Sequence, residues 1–150
     1  MFPMLLRRAW YGLNQAFRRR VAHLNMTPDQ YTVMRTLAQG SEEGLTQKQL
    51  TSRMSSDPNT VASLLDRMER ADFIERKIDP NDRRARRILL KTYGYDSFQQ
   101  AKDIAVELQR EILQSLSEES KRLFLQELTT IADACREAAE NSPRKSLRKD

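Results

Sequence analysis

The sequence predicts a mainly helical fold that contains one small β-hairpin. Apolar residues recur at helical spacing through most of the 150 residues, and only four glycines and five prolines interrupt them. The hairpin is predicted where two short segments, residues 73–78 and 86–91, flank the turn "DPND". With 31% charged and 39% hydrophobic residues and no break in composition, the chain is expected to form one helix-rich domain.

A strong capping signal marks where the first predicted helix gives way to the second. Residues 4–24 carry a broad apolar stripe at spacings of three and four, formed by Leu6, Trp10, Leu13, Phe17, Val21 and Leu24. In "MTPDQ", Thr27 is the expected N-cap of the second helix, Pro28 its first residue and Gln30 the partner in a capping box. Gly40 is the expected stop signal of that helix.

A pair of short helices follows. In "LTQKQLTSRM", Thr46 and Gln49 predict a second capping box and a brief helix that ends near Met54. Asp57 and Pro58 then predict the start of a longer helix. Its inward-facing residues are expected to be Val61, Leu64, Leu65 and Met68. Two such helices joined by a tight turn and followed by a hairpin predict a helix-turn-helix with a wing.

The hairpin begins without the glycine that often ends a helix before a strand. Asp72 holds that place, and aspartate is among the few other residues that tolerate a left-handed backbone.

The remaining chain predicts two long helices, residues 93–115 and 118–140. Their apolar residues form coiled-coil-like seams, with Phe98, Ala101, Ala105, Leu108 and Ile112 on the first and Phe124, Leu128, Ile131, Cys135 and Ala138 on the second. Together with the first helix, these seams exceed what one winged domain can cover. We therefore expect a homodimer built by the terminal helices. The last residues, 142–150, are expected to form a disordered basic tail that is free to contact phosphates nonspecifically.

The charge pattern favours a nucleic-acid partner. The net charge is +5; residues 1–25 carry five arginines and no acid, whereas residues 92–141 carry five bases and ten acids. A basic surface on a differently charged scaffold is typical of a nucleic-acid binder.

Other classes of protein lack the residues they need. One cysteine, one histidine and no Gly-rich phosphate loop predict no disulfide framework, no metal, no cofactor and no enzyme active site. The amino terminus does not resemble a secretory signal and no stretch approaches a membrane span, so the cytoplasm is the expected compartment.

The order of elements, together with "DPNTVASLLDRMERADFIERKIDPNDRRARRILL", resembles the multiple-antibiotic-resistance regulator (MarR) family of bacterial transcription factors. The most specific match is the wing signature Asp-x-Arg, met by Asp82, Arg83 and Arg84. The family usually continues into a Leu-Thr pair and a glycine, whereas this chain reads "LLKTYGY" with altered spacing. The resemblance implies one MarR-like domain over residues 1–141, with residues 27–91 as the winged helix-turn-helix and residues 4–24 and 93–140 as dimerisation helices.

The resemblance also implies the function. A dimer would bind a palindromic operator in double-stranded DNA as a ligand-responsive repressor, with each recognition helix in the major groove and each wing in the minor groove. The residues agree, since polar side chains are expected opposite the apolar face of the recognition helix, at Asn59, Thr60, Ser63 and Arg67. Arg53, at the end of the preceding helix, is a candidate phosphate contact. The alternative is that these are ordinary solvent-facing residues.

The arginines of the wing are expected to differ in role. Arg84 holds the family's minor-groove position, and Asp82 is expected to pair with it and fix its direction. Arg83 and Arg86 are expected to contact phosphates, and Arg87 to cover the edge of the return strand.

Two further features remain open. In the family, small aromatic or phenolic acids often bind between the dimerisation helices and the winged domain. The residues that would line such a cleft are Trp10, Tyr11, Phe17, His23 and Tyr31, with Arg18, Arg19 or Arg20 meeting a carboxylate; alternatively the aromatics are core and the arginines solvated. Cys135 is expected to be a small buried residue of its seam rather than a redox sensor.

A winged domain can also serve as a protein-interaction module without specific DNA binding. Such a wing should expose apolar residues, whereas "DRRARR" places arginines there.

Overall fold

The computed structural model describes residues 1–143, which form six α-helices and three short strands. In chain order these are α1 (Phe2–Val21), α2 (Pro28–Ala38), β1 (Leu45–Thr46), α3 (Gln47–Arg53), α4 (Pro58–Arg70), β2 (Ile74–Ile78), β3 (Arg86–Leu90), α5 (Thr92–Leu113) and α6 (Glu118–Glu140). A single 3-10 turn, Ala22–Leu24, follows α1. The predicted fold class, mainly helical with one hairpin, is confirmed. The predicted tail begins at residue 142, and its residues 144–150 lie outside the described part.

The predicted helix starts are confirmed by their caps. The Thr27 side chain accepts the Gln30 N–H at 3.2 Å, and the Gln30 side-chain oxygen accepts the Thr27 N–H at 3.0 Å. Thr46 and Gln49 form the same reciprocal pair at the start of α3. Helix α2 ends at Ala38, two residues before the predicted stop, and its C-cap keeps a right-handed backbone.

The sheet has three antiparallel strands in the order β1-β3-β2. Strand β1 was not predicted, and it pairs Leu45 with Ile88, while β2 pairs Arg76 with the same residue from the other side. The return strand β3 is therefore central. The prediction that Arg87 covers an edge of this strand is wrong, because β3 has a neighbour on each side.

The junction between the wing and α5 depends on two backbone features. Asp72 has a φ of 65°, which confirms the predicted left-handed residue before the hairpin. Helix α5 begins at Thr92, and a Cβ at Gly94 would lie 2.0 Å from the Phe73 carbonyl oxygen. Only glycine permits this close approach of helix and strand. The Lys91 ammonium also bonds the Asp72 carboxylate.

The chain divides into two compact units, residues 1–108 and the part that begins at Gln109. The first unit holds the core, in which Val61, Leu64, Leu65 and Met68 are buried as predicted. Other fully buried residues are Phe73, Met34, Leu50, Ile74, Ile88, Val21 and Val33.

Helix α6 of the second unit has no buried residue. Its apolar side chains are exposed in the single chain, and Leu128 is 38% exposed. The prediction that Cys135 is buried is wrong for the single chain. Cys135 is an exposed free thiol there, because the apolar face of α6 on which it lies is not covered. None of the helices in residues 1–143 is long and apolar enough to cross a membrane.

Candidate nucleic-acid interface

Helices α3 and α4 are joined by a short turn whose backbone is tied to α3. Ser55 adopts a left-handed φ of 51°, and the Ser56 N–H donates to the Thr51 carbonyl at 3.2 Å. The Gln47 side-chain amide donates to the Pro58 carbonyl at 3.3 Å, which links the starts of the two helices. The angle between the helices is therefore fixed by bonds as well as by packing.

Helix α4 has a buried apolar face and an exposed polar face. Its apolar residues enter the core, while Asn59, Thr60, Ser63 and Arg67 are all exposed, as predicted. Within residues 1–143, the Asn59 and Ser63 side chains have no hydrogen-bond partner. Short polar groups in the first turns of such a helix are suited to base edges in a major groove.

Thr60 is partly committed to the helix cap. Its hydroxyl donates to Asp57 Oδ2 at 2.6 Å, and its N–H donates to Asp57 Oδ1 at 2.9 Å. These two bonds, the side-chain bond first, hold the pKa of Asp57 below its usual value. The Thr60 hydroxyl can therefore accept a hydrogen bond from a base but cannot donate one while it bonds Asp57. The sequence did not predict this restriction.

The acids of α4 are paired with a strand. Arg76 of β2 donates to Asp66 Oδ1 at 2.7 Å and lies 3.9 Å from Glu69 Oε2. Arg76 therefore offsets the negative charge of two carboxylates that are close to Arg67 in the sequence of α4. Arg53, the last residue of α3, is exposed.

The wing turn exposes three arginines. Arg83, Arg84 and Arg86 are all exposed, and within the described residues none has a carboxylate partner. The predicted pairing of Asp82 with the Arg84 guanidinium is wrong. Asp82 Oδ1 instead accepts the Arg84 backbone N–H at 2.9 Å, because aspartate readily bonds an amide two residues ahead in a turn. Asp82 therefore shapes the backbone that carries Arg84.

Arg87 differs from the other wing arginines. Its Nε donates to Asp79 Oδ2 at 3.0 Å and its Nη1 donates to the Gly44 carbonyl at 3.2 Å. The Asp79 side chain is 7% exposed and that of Arg87 18% exposed. The Asn81 N–H and the nearby Arg87 guanidinium hold the pKa of Asp79 below its usual value.

One large apolar residue of the wing is exposed. Ile78, at the end of β2, is 59% exposed, whereas three arginines occupy the tip. The wing surface is therefore dominated by positive charge, which favours DNA over an apolar protein partner.

The residues predicted to line an effector cleft are placed in different surroundings. Phe17 is buried, and its ring centroid lies 4.9 Å from that of Tyr31, which lies 5.6 Å from Phe98. Burial raises the pKa of Tyr31. Trp10 is 63% exposed.

Tyr11 and His23 are exposed as well, and Arg20 is half-buried. The structure thus brings together only the aromatic pair Phe17 and Tyr31 from the predicted set. In residues 1–143, no three His, Cys, Asp or Glu side chains are placed to hold a metal ion.

A helix pair with a polar exposed face, followed by an arginine-tipped hairpin on the same core, defines a winged helix-turn-helix DNA-binding protein. Residues 26–85 match the model of the MarR family. The chain is 32% identical over 127 residues to the transcriptional regulator HosA of Escherichia coli O111:H-, covering 81% of this chain and 93% of that protein. The chain belongs to the MarR family and is a DNA-binding transcriptional regulator, not an enzyme.

Solved structures agree with this assignment. The MepR–DNA complex of Staphylococcus aureus has a TM-score of 0.84 at 25% identity, covering 89% of this chain and 98% of that one. A mutant of E. coli MarR complexed with operator DNA has a TM-score of 0.79 at 20% identity over 86% of this chain and 91% of that one, which shows the fold. The MepR structure is a complex with DNA and the MarR structure a complex with operator DNA, which agrees with DNA binding by members of this family.

Proposed function

We propose that this regulator binds a palindromic operator as a homodimer and represses transcription until a small molecule releases it. The observation that carries the proposal is the placement of two polar surfaces on one core. The exposed face of α4 carries short polar side chains, and the wing beside it carries three exposed arginines. A second copy would repeat both surfaces about a two-fold axis, which a palindrome matches.

Base recognition is assigned to α4. Asn59 and Ser63 have uncommitted side chains on its first two turns, Thr60 retains an acceptor, and Arg67 extends one turn farther. Asparagine matches the donor and acceptor pattern of adenine and arginine that of guanine. Arg53 is assigned to a phosphate, which positions the helix without reading sequence.

Minor-groove recognition is assigned to Arg84. A guanidinium is flat and permanently charged, and a narrow minor groove concentrates negative potential. Arg83 and Arg86 are assigned to phosphates on either side of that groove. Asp82 acts on the protein side, through the Arg84 amide.

Dimerisation is assigned to the terminal helices of a single MarR-like domain, residues 1–141. Helix α1 exposes Leu6 and Trp10, and α6 exposes Phe124, Leu128 and Ile131 in the single chain. Exposed apolar surface of this extent marks an interaction site. Residues 27–91 then form the DNA-binding part.

An effector and a compartment complete the proposal. A small aromatic or phenolic acid would bind near the aromatic pair Phe17 and Tyr31, where Arg20 could meet a carboxylate. A regulator of bacterial transcription acts where the chromosome lies, so the cytoplasm is the proposed compartment.

Selection of binding sites from random double-stranded DNA tests the proposed function. The enriched sequence should be an imperfect palindrome whose half-sites lie about one helical turn apart, roughly 10 base pairs. A single asymmetric motif would contradict the symmetric dimer, and enrichment of no sequence would contradict specific recognition.

Arg83→Ala and Arg86→Ala should each weaken operator and scrambled DNA alike. Each substitution should also reduce the slope of log affinity against log salt by about one per subunit, because a phosphate contact releases roughly one counterion. Fluorescence anisotropy at several salt concentrations measures both effects. Arg35→Ala, which removes the same charge from the exposed surface of α2, is the matched control. An unchanged slope for both wing variants would contradict the assigned phosphate contacts.

A further inference from the structure

The side chain of Arg87 joins two parts of the chain that are distant in sequence. Its Nε bonds the Asp79 carboxylate in the wing turn, and its Nη1 bonds the Gly44 carbonyl 43 residues earlier. Both ionic partners are largely withdrawn from solvent. A planar guanidinium can hold two acceptors at a fixed angle, which an ammonium cannot do.

The Gly44 end of this contact leads directly into the helix-turn-helix. Gly44 precedes β1, and β1 runs into α3 at Gln47. A Cβ at Gly44 would lie 2.5 Å from the Ile88 carbonyl oxygen, and its φ is +83°, so this backbone lies tightly against β3. The Gly44 carbonyl is thus a rigid acceptor attached to the first helix of the DNA-binding unit.

The Asp79 end controls the wing turn. Asp79 Oδ1 accepts the Asn81 N–H at 2.8 Å, and the Asp79 N–H donates to the Ala85 carbonyl at 3.1 Å. The Ala85 N–H in turn donates to the Asp82 carbonyl at 3.0 Å. The turn that carries Arg84 is therefore closed on itself, and one side chain, Arg87, anchors it to the segment before α3.

We propose that Arg87 and Asp79 are positioning residues for DNA recognition. They set the direction of the wing tip relative to the helix-turn-helix. As a result, Arg84 reaches the minor groove while α4 occupies the major groove. We name the Asp79, Arg87 and Gly44 contact the wing clasp. Arg87 is assigned no DNA contact in this proposal, because its Nε and Nη1 donors bond the clasp and its side chain is only 18% exposed. The proposal rests on the proposed function, since it needs Arg84 to bind DNA.

A purely structural role would make the same contacts, so the test must separate stability from position. Arg87→Met leaves the Asp79 carboxylate buried without its cation, which destabilises the fold. The double variant Asp79→Asn/Arg87→Met removes both charges, keeps an oxygen for the Asn81 N–H, and should recover most of the lost melting temperature. Neither variant restores the bond to Gly44.

The expected result is that operator affinity does not recover with stability. Both variants should bind the operator about tenfold more weakly than the unmodified protein, within the roughly 5- to 150-fold that loss of Arg84 itself would cause. Affinity for scrambled DNA and the salt slope should stay unchanged, because no phosphate contact is lost. Binding is measured by anisotropy at a temperature where circular dichroism shows every variant folded.

Arg86→Met is the matched control, because it removes the neighbouring exposed arginine of the same strand. It should reduce the salt slope and leave the melting temperature unchanged, whereas Arg87→Met should lower the melting temperature and leave the salt slope unchanged.

Two results would overturn the proposal. If the double variant bound the operator as tightly as the unmodified protein, the clasp would serve stability alone. If Arg87→Met reduced the salt slope by about one per subunit, Arg87 would be a phosphate contact. Arg84→Ala separates this inference from the proposed function. If Arg84→Ala leaves operator binding unchanged, the assignment of Arg84 to the minor groove fails. If Arg84→Ala weakens operator binding strongly but the double variant has the operator affinity of the unmodified protein, only the proposed positioning role of the clasp fails.

Discussion

Leu128→Asp should convert the dimer into a species with the 17.5 kDa mass of one chain. Leu128 lies on the apolar face of α6, which has no buried residue in the single chain. In a dimer that covers this face, the new carboxylate would be buried without a partner, at a cost of about 3 to 5 kcal/mol. Leu6→Asp on α1 should act in the same direction.

Sedimentation or light scattering at micromolar concentration measures this effect, with thermal melts alongside. The unmodified protein should have twice the mass of one chain, and its melting temperature should rise with concentration, because association stabilises the folded state. Gln126→Asp is the matched control, since it adds the same charge at an exposed polar position of the same helix. A stably folded monomer of the unmodified chain would contradict dimerisation through these helices.

Arg84→Ala should weaken operator binding by about 1 to 3 kcal/mol and relax the preference for A·T-rich flanks. The side chain is exposed at the hairpin tip, so the melting temperature should not change. Asp82→Ala should have a milder effect of the same kind, because it frees the Arg84 backbone amide without removing the guanidinium.

Anisotropy with operator duplexes that differ only in flank composition measures the Arg84 effect. Lys77→Ala, which removes an exposed cation from β2 of the same hairpin, is the control for charge alone. If Arg84→Ala bound every duplex as the unmodified protein does, or lost binding only through unfolding, the tip arginines would be a solvated edge of the hairpin.

Much of the fold could be predicted because its signals are local. Each capping box at Thr27 and Thr46 lies within four residues, and Asp57 followed by Pro58 sets the start of α4 in the same way. The burial of α4 followed from its helical periodicity, since an apolar stripe must face a core. The exposed polar face, and therefore the candidate recognition residues, followed from the same pattern.

Contacts between distant residues could not be predicted. Strand β1 has two residues, too few to show an alternating pattern, and it exists because β3 offers a free side. The roles of Arg76 and Arg87 depend on which strand is central and which helix lies beside it. The sequence "DRRARR" set Arg87 apart from the other three arginines, but it did not show that the Arg87 side chain bonds Asp79 and Gly44.

The residues predicted to line an effector cleft show the limit of helical periodicity as a guide. Trp10 and Phe17 share a helical stripe, yet one is exposed and the other is buried against Tyr31. Helical spacing predicts which residues share a face of a helix, but it does not predict which of those residues the rest of the chain buries.

The central claim is that two copies of this chain read one palindromic duplex, and a direct comparison of DNA affinities tests it. Fluorescence anisotropy at a fixed salt concentration would compare the selected palindrome with a duplex in which one half-site is scrambled and with one in which both are. The account predicts two chains per palindrome, with affinity about 10³-fold or more above that for the fully scrambled duplex and intermediate affinity for the single half-site. Equal affinities for all three duplexes would contradict it.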